Sequence, residues 1–108
     1  MTPLRGEVWW VRLDPARGSE IKKTRPCLVV GATILNERRR TVVVVPLSSA
    51  PEAAPPLLVP VACGKRKAVA VTDQIRAVTK ERFASRMGQL SPEDLAAVED
   101  SLRMVLEL

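Results

Sequence analysis

The chain has 108 residues, of which 46% are hydrophobic and 3% aromatic, so we expect one compact domain over residues 1–108 with a small core. No apolar run reaches the roughly 18 residues of a membrane span and no secretory signal begins the chain, which predicts a cytoplasmic protein without a membrane segment. Residues 1–90 carry 16 basic and 7 acidic side chains, a net charge of +9, which favours an anionic partner such as nucleic acid or simply a soluble basic surface.

The chain contains no histidine and two cysteines, Cys27 and Cys63. Because histidine is the commonest general acid-base group and metal ligand, catalysis here would have to use Arg, Lys, Asp, Glu, Ser or Thr. Both cysteines lie in apolar stretches without C-x-x-C spacing. We expect them to be reduced core residues, with a disulfide as the alternative, and we expect no metal and no cofactor.

Short valine-rich segments separated by charged or turn-like residues predict a series of strands. The segments are residues 7–13, 26–34, 41–47, 57–63 and 68–72, with one or two further strands in 74–78 and 85–90 around a helical turn near 80–83. The connections NERRR (36–40) and GKRK (64–67) predict hairpin tips, so neighbouring strands should pair antiparallel. Many short strands of this kind predict a mainly β fold, a strongly curved antiparallel sheet or partly open barrel.

A long helix is predicted only at the C-terminus. Ser91 supplies an N-cap, Pro92 occupies the first helical position, and two acids follow at the positive helix end. Apolar residues then recur at helical spacing: Leu95, Val98, Leu102 and Val105 or Leu106. This stripe predicts a helix that lies on the sheet.

Two adjacent tryptophans in the first strand must point to opposite faces of the sheet. Trp9 shares its side with Val11 and Leu13, which predicts a core residue. Trp10 shares its side with Arg12 and should lie near the surface. It could be a stacking platform for a base, a dimer contact or a half-buried sheet residue.

The four consecutive valines of residues 42–45 fit a strand covered on both faces, and Pro46 should end its pairing. Ser48 and Ser49 then present two hydroxyls at the end of this strand. A polar, proline-rich loop over residues 50–56 follows.

Arg25 precedes Pro26 at the start of the second predicted strand. The proline disfavours helical dihedrals for Arg25, so its backbone should be extended before any ligand arrives. A guanidinium offers fixed N–H donors and a permanent charge, which suit a phosphate whose negative charge grows in a transition state. Taken alone, the position fits an ion pair with a carboxylate such as Glu20 equally well.

Several motifs together resemble the MazF/PemK family of toxin endoribonucleases. Residues 5–30, RGEVWWVRLDPARGSEIKKTRPCLVV, carry its opening G-E-V-W, D-P, G-S-E and R-P elements in order. VVVVPLSS (42–49) resembles the family's valine-rich strand that ends in a proline and a hydroxyl pair, and AVTDQIRAVTKERF (70–83) resembles its D-Q segment. The resemblance spans about the whole chain and includes the C-terminal helix.

This resemblance implies an SH3-like, CcdB-like barrel that forms a homodimer and cuts single-stranded RNA, often mRNA, without a metal. The ribose 2′-hydroxyl would attack the adjacent phosphate and leave a 2′,3′-cyclic phosphate and a free 5′-hydroxyl. A cognate antitoxin with an acidic flexible segment would neutralise the protein. The family's catalytic arginine corresponds to Arg25, and its usual threonine corresponds to Ser48, which keeps the hydroxyl and lacks the methyl group.

Other candidate site residues surround these two. Glu20 could accept a proton or orient Arg25, or it could only cap its own loop. Lys22 and Lys23 would follow the RNA backbone if their loop closes over it, and a solvated loop is an equal alternative. Ser19 is a further RNA-binding candidate of the same loop.

Ser49 and Trp10 complete the RNA-binding candidates together with Gln74, whose amide could read a base edge because it donates and accepts hydrogen bonds at once. The basic runs 38–40 and 65–67 are interpreted as charges that keep hairpin tips soluble rather than as RNA contacts.

Two other functions fit the same barrel. A non-catalytic, CcdB-like gyrase poison relies on an aromatic residue near the C-terminus, and this chain ends RMVLEL. A plain RNA-binding barrel usually offers several aromatic platforms, and aromatic residues are few here.

Overall fold

The valine-rich segments form a seven-stranded antiparallel sheet in the computed structural model, which describes residues 1–13, 23–49 and 51–108. The strands are β1 (Glu7–Arg12), β2 (Thr24–Val29), β3 (Thr41–Ser48), β4 (Leu58–Cys63), β5 (Arg66–Val71), β6 (Arg76–Thr79) and β7 (Phe83–Gln89). The helices are α1 (Thr33–Arg38) and α2 (Pro92–Leu106), with 3₁₀ turns at Thr72–Gln74 and Lys80–Arg82. The strand order is β4-β5-β3-β2-β1-β7, and β6 also pairs with β3.

The predicted mainly β fold, a curled antiparallel sheet with a C-terminal helix, is confirmed. The GKRK segment forms the predicted hairpin tip, because β4 and β5 pair antiparallel on either side of Gly64 and Lys65. Gly64 has a φ of 61°, a left-handed conformation that glycine adopts without steric cost.

The prediction for the NERRR segment is wrong. The strand predicted over 26–34 ends at Val29, and α1 occupies the place of the expected hairpin tip. The N–H groups of Val30 and Gly31 both donate to the carbonyl of Val43, at 3.0 and 3.1 Å, so the ladder stops there.

A side-chain amide then fixes the position of α1. Asn36, buried in α1, donates from Nδ2 to the carbonyls of Pro3 and Gly31, at 3.0 and 3.1 Å. A Cβ on Gly31 would lie 2.9 Å from Oδ1 of Asn36, so only glycine fits this close approach. These contacts join residues far apart in the chain and override the local strand pattern.

Pro46 does not end β3, contrary to prediction. Its Cα lies opposite Cys27 of β2, and the strand continues to Ser48, where β5 becomes the partner. Proline has no N–H to donate, so it occupies the position at which β3 exchanges one partner for another. Within the valine run, Val43 is 37% exposed, so the prediction of a strand covered on both faces is wrong at this residue.

Alternation along β1, β2 and β3 produces one hydrophobic core on each face of the sheet. The first core is covered by β4, β5 and α2, and its buried members are Val8, Leu28, Val45, Leu47, Val59, Val61, Ala70, Leu90 and Val98. The second core lies inside the curl formed with β6 and β7, and its members are Trp9, Val11, Leu13, Cys27, Val29, Val42, Val44, Val78 and Phe83.

The second core confirms two sequence predictions. Trp9 is a core residue, and its ring meets that of Phe83 edge to face with centroids 5.8 Å apart. Cys27 and Cys63 are free thiols, although Cys63 is only half-buried. Burial raises the pKa of the Cys27 thiol to about 12, against the opposing charge of Arg76.

The C-terminal helix α2 begins as predicted. The side chain of Ser91 accepts a hydrogen bond of 3.1 Å from the N–H of Asp94, and Val98 is buried in the first core. The Oδ2 atom of Asp94 accepts a 2.9 Å hydrogen bond from the N–H of Ala62, which ties the helix to the outer strand β4. In the described part of the chain, no helix is long and apolar enough to cross a membrane.

Glu7, in the G-E-V-W segment, is a buried carboxylate that joins three parts of the molecule. It accepts hydrogen bonds from the N–H of Leu4 at 2.7 Å, Nε1 of Trp9 at 3.0 Å and Nε of Arg86 at 2.6 Å. Burial raises its pKa, but these donors and the charge of Arg86 together outweigh burial and hold the pKa below the ordinary 4.5. The N-terminal segment, β1 and β7 are therefore held together by one charged group.

We expect Glu7→Gln to lower the free energy of unfolding by about 1–3 kcal/mol at pH 7, because the charged acceptor is lost in a buried site. A carboxylate whose pKa is lower in the folded state than in the unfolded state stabilises the fold at pH values above its unfolded-state pKa. This stabilisation is lost as the pH falls through the folded-state pKa. The difference between wild type and Glu7→Gln should therefore shrink below pH 4.5 in urea titrations.

Glu99→Gln is the matched control, because Glu99 pairs with Arg5 at 2.6 Å on the surface. We expect it to cost less than about 1 kcal/mol at pH 7. A Glu7→Gln difference that stays constant between pH 7 and pH 3 would contradict the role given to the carboxylate.

Candidate functional site

The pairing of β2 with β3 brings Arg25 and Ser48 to the same end of the sheet. The register joins Val29 to Val44, Leu28 to Val45 and Cys27 to Pro46. Arg25 and Ser48 each lie two residues beyond the last of these pairs, Cys27–Pro46. Side chains two residues apart in a strand share a face, so both side chains belong to one face at the end of the sheet.

Arg25 lies inside β2, so the extended backbone predicted from the R-P dipeptide is confirmed. Its side chain is half-buried, and its Cα lies opposite Val11 of the second core. Pro26 is buried behind it, opposite Trp10. The guanidinium is therefore attached to a backbone that pairs with β1 and is restricted by Pro26.

The residue Lys23 marks the entry to β2. Its φ is 67°, a left-handed conformation that is uncommon for a residue with a side chain. Its carbonyl accepts a 2.9 Å hydrogen bond from the N–H of Leu13, which closes the β1–β2 ladder. The exposed side chain of Lys23 thus leaves the sheet at a fixed point beside Arg25.

Among the residues that the structure describes, several cations lie at this end of the sheet, and we call six of them the basic rim. β1 ends here, β2 begins here, and the β4–β5 hairpin turns here because Ser48 lies opposite Val69. The members of the basic rim are Arg12, Lys23, Arg25, Lys65, Arg66 and Lys67. A group of like charges around one site raises the local concentration of anions, and phosphates are the anions that arginine pairs suit best.

Trp10 lies on the other face of the sheet, on the side of Pro26, and is half-buried. The guanidinium carbon of Arg66 lies 4.9 Å from the centroid of its ring. This cation–π contact joins the β4–β5 hairpin to β1 and occupies one face of the indole. The sequence did not show this contact, because the two residues are distant in the chain and Arg66 was interpreted as a hairpin-tip charge. Whether Trp10 contacts RNA stays a prediction.

The other predicted site residues are distributed differently. Ser49 is exposed and follows Ser48 directly. Gln74 is half-buried in the 3₁₀ turn between β5 and β6, two residues before Arg76, whose Cα lies opposite Val44 of β3. Glu20, Ser19 and Lys22 lie outside the described residues, and their roles stay predictions. Among the residues described, no group of three Cys, Asp or Glu side chains is placed to hold a metal ion.

A curled antiparallel sheet, a C-terminal helix and a basic rim around an arginine and a serine define a small β protein suited to an anionic ligand. The comparison with known proteins agrees with this class and makes it specific. The chain belongs to the family of PemK-like, MazF-like toxins of type II toxin-antitoxin systems, which its residues 4–106 match.

Individual relatives cover nearly the whole chain. The endoribonuclease MazF9 of Mycobacterium tuberculosis is 36% identical over 113 aligned positions, which cover 96% of each protein. A crystal structure of MazF from Deinococcus radiodurans superimposes with a TM-score of 0.88 at 24% identity, over 100% of this chain and 99% of the other. A mycobacterial endoribonuclease in complex with its cognate antitoxin gives a TM-score of 0.83 at 22% identity and covers 98% and 96%. The predicted family is thereby confirmed.

The contact between Arg66 and Trp10 makes a testable prediction. Arg66→Ala should uncover one face of the indole, so quenching of tryptophan fluorescence by acrylamide should increase, while Trp9 contributes a constant buried signal. The free energy of unfolding should fall by about 0.5–1 kcal/mol. Lys65→Ala is the control and should change neither quantity. Equal quenching of wild type and Arg66→Ala would contradict the contact.

Proposed function

We propose that this protein is a metal-independent endoribonuclease toxin that cleaves single-stranded RNA, mRNA in particular, at a short sequence in the cytoplasm. One observation supports this most directly: in a chain of the toxin family, Arg25 and Ser48 lie at the basic rim on one face of the sheet, each two residues beyond the last β2–β3 pair. The endoribonuclease names of the relatives agree with it. The working unit would be a homodimer of one domain over residues 1–108.

The proposed reaction is an internal transfer on the RNA strand. The ribose 2′-oxygen attacks the adjacent phosphorus and loses its proton to a base, and the bond from phosphorus to the 5′-oxygen breaks. The departing 5′-oxygen takes up a proton. The products are a 2′,3′-cyclic phosphate and a 5′-hydroxyl, so no water and no metal enter this step.

Arg25 acts as an electrostatic clamp in this proposal. The phosphorane gains negative charge on its oxygens, and a guanidinium held by an extended backbone meets that charge without reorganisation. A guanidinium is a permanent cation at neutral pH, so it is a poor proton acceptor. The proton of the 2′-hydroxyl would go to another group, for which Glu20 is the candidate.

Ser48 donates a hydrogen bond to a phosphate oxygen from the strand opposite Arg25. Lys22 and Lys23 contact the RNA backbone beside it, while Ser19, Ser49, Gln74 and Trp10 contact neighbouring nucleotides. Phosphate contacts of this kind position the strand, and contacts to base edges select its sequence.

The same basic rim would also bind the antitoxin. An acidic flexible segment laid across it would neutralise the cations and exclude RNA from Arg25 and Ser48. A mycobacterial endoribonuclease of the same fold forms a complex with its cognate antitoxin, which supports an antitoxin as a partner of this chain.

The deciding experiment incubates the purified protein with a mixed pool of single-stranded RNA in excess chelator and maps the new ends. Cyclic-phosphate and 5′-hydroxyl ends at one short sequence are expected. Intact RNA across the whole pool, from protein shown to be folded, would overturn the proposal. Binding of gyrase without RNA cleavage would favour a CcdB-like toxin instead.

Arg25→Ala should reduce kcat by at least about 10²–10³-fold, because a fixed positive donor to the transition state is lost. The circular dichroism spectrum should stay unchanged, since the side chain is half-buried at the end of a strand. Arg103→Ala, which removes an equal charge from an exposed position of α2, is the control and should leave kcat unchanged. Retained activity in Arg25→Ala would remove Arg25 from its assigned role.

Ser48→Ala should lower kcat by about 10–100-fold and change the RNA affinity less, because a hydrogen bond to a charged oxygen is lost mainly in the transition state. Ser48→Thr keeps the hydroxyl and should retain most of the rate. Ser85→Ala, at an exposed position of β7, serves as the unrelated control. An equal loss of rate and affinity in Ser48→Ala would make Ser48 a binding contact only.

A further inference from the structure

A second group of cations lies at the other end of β3, outside the basic rim. A groove of about 670 Å³ is lined there by the end of α1, the start of β3 and the Lys80–Arg82 turn. We call this the arginine groove. The cations that line it are Arg38, Arg39, Arg40 and Lys80. The sequence pattern favours hairpin-tip charges for the three arginines, but the segment is a helix end and Lys80 comes from another element.

The fold brings like charges together in this groove. The β3–β6 register pairs Thr41 with Thr79, so the next residues outward, Arg40 and Lys80, lie opposite each other. The N–H of Lys80 donates to the carbonyl of Arg40 at 2.8 Å, which fixes this juxtaposition in the backbone. Like charges directly opposite in antiparallel strands are destabilising, so the pairing itself gives no reason for two cations here.

The charges of the groove are incompletely balanced. Glu37 and Glu81 line it as well, which leaves a net charge of +2 from four cations and two carboxylates. Within residues 1–13, 23–49 and 51–108, no salt bridge or hydrogen bond involves the side chains of the four cations. Arg38 has a structural role, since a cation in the last turn of α1 meets the negative helix end. Arg39 and Arg40 have no such role.

The position of the groove limits what it can bind. β3 runs from Thr41 to Ser48 in seven steps of about 3.3 Å, so the arginine groove lies up to about 23 Å from Ser48. A ligand that contacts Arg40 and Ser48 together has to cover much of this distance, as an extended polyanion does. The groove is lined by charged residues and Thr79, and none of these is a large hydrophobic side chain of the kind that anchors a peptide segment. Arginine side chains commonly contact the phosphates of a nucleic acid, and such contacts position the strand without selecting its sequence.

We propose that the arginine groove is a second RNA-binding site, which holds backbone phosphates of the same strand several nucleotides away from the cleaved bond. The inference rests on the proposed function, because it takes RNA as the ligand of the first site. A stacked strand advances about 3.4 Å per nucleotide and needs about seven nucleotides to cover the separation. The groove therefore adds affinity for long RNA and leaves the recognition sequence to the basic rim.

The test compares the affinity of a long and a short RNA for the double variant Arg39→Gln/Arg40→Gln. All binding is measured in an Arg25→Ala background, so the RNA stays intact. The probes are oligouridylates of about 24 and 4 nucleotides, and the shorter one spans about 10 Å when stacked and cannot reach both sites. We expect the dissociation constant of the long probe to rise roughly tenfold at 50 mM salt and its salt slope to fall by about 1.4, as for two lost phosphate contacts. The short probe should bind unchanged.

Two further variants separate the groove from net charge. Ala96→Glu/Ala97→Glu changes the net charge by the same amount on the exposed side of α2 and should leave the affinity of the long probe within about twofold. Arg39→Lys/Arg40→Lys keeps the charge and should retain most of the affinity, since single-strand phosphate contacts depend mainly on charge. These substitutions lie at exposed positions and should leave the fold intact.

Three outcomes would overturn the inference: unchanged binding of the long probe, an equal loss for long and short probes, or an equal loss in the charge-matched control. A loss of affinity for an oligoglutamate peptide alone would assign the groove to a protein partner and would also overturn it. Wild-type protein that cleaves no RNA would overturn the proposed function, and this result is independent of the binding comparison.

Discussion

The backbone pairing of β3 is the constraint on which the site depends. In eight residues this strand pairs with β6 at its start, β2 in its middle and β5 at its end. Pro46 lies where the partner changes, because it lacks the N–H that a continuous ladder would use. The pairing with β2 ends at Cys27 and Pro46, two residues short of Arg25 and Ser48, and the register with β6 sets Arg40 opposite Lys80. Both cationic regions of the molecule are therefore consequences of one strand.

The absence of histidine from the chain explains the kind of chemistry that the site can perform. Arginine stays charged at every physiological pH, so it stabilises developing negative charge and does not shuttle protons. A reaction in which the nucleophile is already part of the substrate suits such a site, because positioning and charge provide most of the catalysis. The attachment of Arg25 to a backbone held by β1 and by Pro26 supplies the positioning.

Local sequence signals predicted most of the architecture. The valine-rich segments, the GKRK turn and the Ser91–Pro92 helix start all describe interactions between residues close in the chain, and the structure has each of them. These local signals gave wrong predictions where contacts between residues distant in the chain determine the structure. Asn36 fixes α1 through the carbonyl of Pro3, and the interior position of Pro46 requires partners from three other strands. The buried network of Glu7 also could not be anticipated, because its donor Arg86 comes from β7.

By itself, the sequence determined the family, the curled antiparallel sheet with its C-terminal helix and the identity of the two residues proposed for catalysis. Motifs carry this information because the dihedral restriction of Arg25 by Pro26 and the period-two pattern of the strands are local properties. The tertiary structure alone decided which cations share a site. Arg66 reaches Trp10, and Lys80 reaches Arg40, through strand registers that no local pattern contains. The sequence gives the number of charged residues, and only the fold determines which of them lie close together and on which part of the surface.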